Sequence, residues 1–127
     1  MWTILIASQD EALHQLVTQT LQDLESRVIS VSSIKAFFEK LAEGKVDLII
    51  YDTGLLPLSA MEAFSVTKVI HPRIPSILIY EDENFEATKS IIDKGVLFRM
   101  AKPIDPDNLK QIYAGIRKTK MNGAEVY

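Results

Sequence analysis

Few residues in this chain have chemistry to offer. Asp52 closes the apolar run Val46-Asp47-Leu48-Ile49-Ile50-Tyr51, and much later Lys102 stands directly before Pro103. Each falls at the end of a predicted strand, so a carboxylate and an ammonium are set to meet as an ion pair. Ser8-Gln9-Asp10, Thr53-Gly54 and Tyr80-Glu81 occupy corresponding strand ends. Other reactive types are missing or isolated. With no Cys there is no thiolate metal site, no disulfide framework and no cysteine nucleophile. His14 falls on the polar side of the first predicted helix and His71 precedes Pro72 in a loop. Neither has a Ser, an Asp or a second His at catalytic or metal-ligand spacing, and both are expected to be solvated surface residues.

Strand ends matter because a doubly wound sheet gathers its ligands and reactive groups outside the carboxyl ends of its strands. Short runs rich in β-branched residues alternate with stretches of helical period, which is the sequence form of repeated βα units around a parallel sheet. The predicted strands cover 3–7, 27–31, 46–51, 75–80 and 96–100, and three read as nearly unbroken apolar runs, as central strands covered on both faces do. The first helix follows Asp10, whose carboxylate can cap the amides of Ala12 or Leu13, and its stripe is Leu13, Leu16, Val17, Thr20, Leu21 and Leu24. The second begins at Ser32 or Ser33, buries Ile34, Phe37, Phe38 and Leu41, and ends at Gly44. Ser59 and Glu62 make a capping box ahead of Phe64, Val66 and Val69. A fourth helix follows Asn84 and stops at Gly95. The fifth opens with Asp105 as cap and Pro106 at its first position, then runs through Leu109, Ile112, Tyr113 and Ile116. Trp2, at the head of an edge or near-edge strand, is expected to pack under a neighbouring helix. Residues 1–120 form one domain, and 121–127 are a frayed tail or the start of a linker.

Composition excludes several functions. The 127 residues carry a net charge of −3, far from the strongly basic balance of nucleic-acid-binding domains. The half up to residue 63 holds four basic and nine acidic side chains, the rest ten and eight. The densest basic cluster, Arg117, Lys118 and Lys120, sits where the last helix ends and complements its dipole. No direct contact with nucleic acid is expected. Nor is a membrane span, since no run approaches ~18 apolar residues, and with no basic segment before Ile4 a secretory signal is not expected, which points to the cytoplasm. Ala7-Ser8-Gln9-Asp10-Glu11 lacks the Gly-rich or Ser/Thr-rich loop that a flavin or dinucleotide site needs.

The segment from Val46 to Asp52, together with Gly95 and then Lys102-Pro103 seven residues later, resembles the receiver domain of bacterial response regulators over nearly the whole chain. The resemblance implies an α/β, flavodoxin-like three-layer sandwich with a five-stranded parallel sheet of order 2-1-3-4-5. It implies Asp52 as phosphoacceptor, with Ser8, Gln9, Asp10, Gly54, Tyr80, Lys102 and Pro103 around it. It also implies an interaction face on the fourth helix, fifth strand and fifth helix, offering Lys89, Arg99, Asp107 and Lys110, through which a homodimer or a target could dock. The chain departs from the family at the pocket. The two carboxylates that hold Mg²⁺ with the acceptor align with Ser8 and Gln9, the small hydroxyl residue ending the fourth strand with Tyr80, and the switch aromatic with Arg99, next to Phe98. The loop from Asp52 to Pro57 is one residue longer than usual. Asp52 and Lys102 sum to zero charge, so the drive to bind a hard cation falls. Asp52 and Asp10 are then only weak metal candidates, and Asp10 reads more simply as a helix cap. Phosphoryl transfer depends on that metal. The expectation is a non-enzymatic, degenerate receiver that docks a signalling protein, a histidine kinase or an output domain, without a cofactor. The alternative is a working phosphorelay receiver phosphorylated on Asp52. Outside the family, Asp52 would simply end a strand at a turn in which Gly54 supplies a positive φ.

Overall fold

The computed structural model describes residues 1–23, 25–55, 60–81 and 98–121. Its element order is β1 (Trp2–Ala7), α1 (Glu11–Leu21), β2 (Ser26–Val31), α2 (Ile34–Ala42), β3 (Leu48–Asp52), α3 (Ala60–Ile70), β4 (Ser76–Tyr80), β5 (Phe98–Ala101) and a C-terminal helix, α4 (Pro106–Met121). The strands form one parallel sheet in the order β2-β1-β3-β4-β5. The predicted fourth helix, with Asn84, Lys89 and Gly95, lies outside the described residues, as do the Ser59 cap and the tail from 122.

The side-chain alternation of the strands builds two cores. Leu5, Ala7, Ile49, Tyr51 and Leu78 face α2 and α3, where Phe37, Leu41 and Ala63 meet them. Ile4, Ile6, Leu48, Ile50, Ile77, Ile79 and Met100 face α1 and α4, against Leu13, Val17, Leu21, Leu109, Tyr113 and Ile116. Because helices cover both faces, β3 and β4 are buried along their whole length, which is why they read as unbroken apolar runs. The caps form at the expected residues. Asp10 accepts from the Leu13 amide, Ser33 from that of Ala36 and Asp105 from that of Asp107, while Gly44 follows α2 with φ +78°. Trp2 sets its ring edge-on to Tyr113 of α4.

Two expectations of burial are corrected. His14 is buried, not solvated. Val66 and Val69 are exposed, and among the described side chains of α3 the small Ala63 and Thr67 are the buried ones. Two further expected stripe residues, Leu24 and the side chain of Phe64, lie outside the described residues.

Candidate functional site

The carboxyl ends of β1, β3 and β5 bring Ser8, Asp52 and Lys102 together. Ser8 is fully buried, and each of its polar groups is engaged. Its amide donates to Val31 O at 3.1 Å, its carbonyl meets His14 Nε2 at 2.6 Å, and its hydroxyl accepts from the Asp10 amide at 2.9 Å. That hydroxyl donates to Asp52 Oδ2 at 2.6 Å. Asp52, 4% exposed, also receives the Lys102 ammonium on Oδ2 at 2.9 Å and the Gly54 amide on Oδ1 at 2.9 Å. Lys102 reaches Asp10 Oδ2 as well, at 3.1 Å. Its backbone is fixed by its amide, which donates to Tyr80 O at 2.8 Å, and it is followed by a cis peptide bond to Pro103.

Asp10 is therefore both helix cap and second carboxylate. The local sum over Asp52, Asp10 and Lys102 is −1 instead of the zero expected from Asp52 and Lys102 alone. A hydrogen bond from Lys102 holds the Asp10 carboxyl below its ordinary range, against the opposing effect of partial burial. Burial pulls the Lys102 ammonium down, but its hydrogen bonds to Asp52 and Asp10 and their charges outweigh that, leaving its pKa above the ordinary lysine value. Behind the site, burial and then the charges of Asp52 and Glu62 push the Tyr51 phenol up to about 12.

The resemblance to receivers implies a divalent cation, so the fit of these residues to one matters. A hard ion of the Mg²⁺ class seeks an octahedron of oxygens that includes one or two carboxylates. Here the ammonium stands between the two carboxylates, hydrogen-bonded to both. Among the described residues no group of three or more His, Asp or Glu could hold a metal. As arranged, the site does not fit the ion unless Lys102 is displaced.

The other expected residues divide. Gln9 is exposed. Gly54 contributes its amide and no left-handed turn, since among the described residues Gly44 alone has a positive φ. Pro103 and Glu81 line an open cleft of about 480 Å³ beside Asp10 and Lys102, walled by Leu13, Leu16 and Ile104. Tyr80 is buried, with the Arg99 guanidinium 6.0 Å from the centre of its ring. Arg99 pairs with Leu78 in register and so faces the α2 and α3 side, whereas Lys110 lines a groove against Gln15, Leu16 and Gln19 of α1. Asp107 is exposed in the first turn of α4. The residue that sequence reasoning missed is His14. Its spacing held the signal, because 14, 17 and 21 fall at i, i+3 and i+7 on one helix face.

Comparisons place this geometry among known proteins. A family model described as the response regulator receiver domain matches residues 4–114. The DNA-binding transcriptional regulator NtrC of Azospirillum brasilense is 24% identical over 110 residues, which is 87% of this chain and 23% of that protein, so the chain spans about a quarter of the relative's length. The receiver domain of AraT from Geobacillus stearothermophilus superimposes with a TM-score of 0.87 at 18% identity, covering 96% of this chain and 97% of that one. NtrX from Brucella abortus gives 0.85 at 20% identity over 94% of this chain and 28% of its own. A CheY-like receiver domain protein from Methanospirillum hungatei gives 0.83 at 19% identity, covering 96% and 98%.

Proposed function

The chain belongs to the response regulator receiver domain family, and from that premise we propose that it is an atypical receiver, one that signals by docking a partner protein and takes phosphate on Asp52 weakly or not at all. The observation that carries this reading is the occupancy of the acceptor carboxylate. Ser8 Oγ and Lys102 Nζ both hold Oδ2, and the Gly54 amide holds Oδ1. An attacking carboxylate oxygen must give up such partners, and a cation must then offset the charge gathering on the equatorial phosphoryl oxygens. Lys102 is the only cation within hydrogen-bond reach among the described residues, and it is already shared with Asp10. Tyr80, with the Arg99 guanidinium over its ring, stands where the family carries a small hydroxyl residue.

The proposed partner is a signalling protein, a histidine kinase or an output domain, and no nucleic-acid contact is assigned to this domain. No described helix is long and apolar enough to cross a membrane. A homodimer through β5 and α4 would engage Arg99, Asp107 and Lys110, whose charges give orientation more than affinity. The test is incubation with acetyl phosphate and Mg²⁺ followed by intact-mass analysis. The expected result is no aspartyl adduct on the wild type. A stoichiometric adduct that Asp52→Asn abolishes would overturn this reading and restore the working receiver.

A further inference from the structure

We propose that His14 is a positioning residue, whose ring holds the Ser8 carbonyl and thereby keeps the Ser8 hydroxyl on Asp52; its effect on Asp52 rests on the masked-acceptor reading above. The chain of contacts is short. A carbonyl oxygen only accepts, so the contact of 2.6 Å between His14 Nε2 and Ser8 O makes Nε2 the protonated nitrogen. His14 Nδ1 is buried and has no hydrogen-bond partner. His14 is 7% exposed and its ring makes one polar contact, so that contact is what the position provides beyond packing. Ser8 stands one residue beyond β1 and turns the chain into α1. With its amide fixed on Val31 O and its carbonyl on His14, its backbone is held at both ends, and its hydroxyl is aimed at Asp52 while it receives the Asp10 amide. Asp10 in turn caps the helix that carries His14, so the loop closes on itself.

The amide of Asp10 reports on this arrangement directly, because it donates to Ser8 Oγ. Hydrogen exchange is measured in the 127-residue wild type, Ser8→Ala, His14→Leu and His14→Gln, with the Ile6 amide of β1 as the gauge of whole-domain opening. His14→Leu keeps a similar side-chain volume and removes the donor, whereas His14→Gln offers a side-chain N–H at similar reach. The expected result is that exchange at Asp10 speeds up roughly tenfold in Ser8→Ala and His14→Leu, stays near wild type in His14→Gln, and is unchanged at Ile6 throughout. If Asp10 in His14→Leu stays within about twofold of wild type, or if Ile6 accelerates in step with it, the positioning role is overturned. Failure of His14→Gln to restore protection overturns the donor role in the same way. A second readout separates this inference from the reading it rests on. Binding of beryllofluoride with Mg²⁺ is expected to rise in both Ser8→Ala and His14→Leu. If exchange responds and binding rises in neither variant, His14 positions Ser8 as proposed and the masking of Asp52 is what fails. If binding rises in Ser8→Ala but not in His14→Leu, the coupling through His14 is overturned.

Discussion

Lys102 acts in this domain as a counter-ion to two carboxylates, and its removal should be felt at both. Replacing it by Met leaves Asp52 buried with no cation, a change that costs about 3–5 kcal/mol where a buried pair is broken from one side. Urea unfolding of Lys102→Met measures it. Asp10 offers a finer test. Its carboxyl is lowered in the folded state chiefly by the Lys102 hydrogen bond, so the stability it contributes is present above its unfolded value of 3.8 and is lost as pH falls through the lower folded one. Carboxyl ¹³C titration should place the Asp10 midpoint below 3.8 in the wild type and move it upward in Lys102→Met. An unmoved midpoint would mean that the contact of 3.1 Å carries no charge coupling. Gly54 should prove replaceable. A Cβ there would meet Asp52 Oδ1 at 3.5 Å, an ordinary contact, and the backbone has no positive φ to defend. Gly54→Ala is therefore expected to unfold within about 1 kcal/mol of wild type, the usual glycine-to-alanine scale, as urea midpoints will show.

The elements were legible where burial and chain chemistry agree. Val, Ile and Leu runs marked β3 and β4 because both faces of those strands are covered, and Asp10, Ser33 and Asp105 marked helix starts because a free amide needs an acceptor. On α3, apolar bulk pointed to Val66 and Val69, which are exposed, whereas the small Ala63 and Thr67 are buried. Thr67 hides its hydroxyl by donating to Ala63 O at 2.8 Å, an arrangement that periodicity does not reveal. The site was half legible. Asp52, Lys102 and Ser8 follow from strand ends, but the ring of His14 acts through a contact that only the packing of α1 against the sheet provides. Gly44 provides an element-scale test, because its φ of +78° is met by open space at the Cβ position. Gly44→Ala should cost about 1–2 kcal/mol through backbone strain alone, and Gly44→Asn should recover part of it. At the far end of the sheet, Arg117 stacks 5.7 Å from the centres of both the Trp2 and Tyr113 rings, while the Tyr113 hydroxyl hydrogen-bonds Ser26. This cluster fixes α4 against β1 and β2 at the end opposite the acceptor.

At the scale of the molecule, two cores on either side of one parallel sheet hold the strand ends rigid, and the pocket lies where three of those ends converge. A ligand moves such a domain between two states only by its difference in affinity for them, and ~5.5 kcal/mol is needed to carry a switch from 1:99 to 99:1. A phosphoryl group that barely binds supplies no such difference. Affinity for the natural partner should therefore be the same for wild type and Asp52→Asn, with or without a phosphodonor. Titration of the isotope-labelled wild type with Mg²⁺ and beryllofluoride, followed in amide spectra at Ser8, Asp52, Gly54 and Lys102, tests the central claim most directly. The account predicts that these four amides stay in place through millimolar concentrations of both reagents. Saturable shifts at all four, absent from Asp52→Asn, would contradict it and show an acceptor open to phosphate.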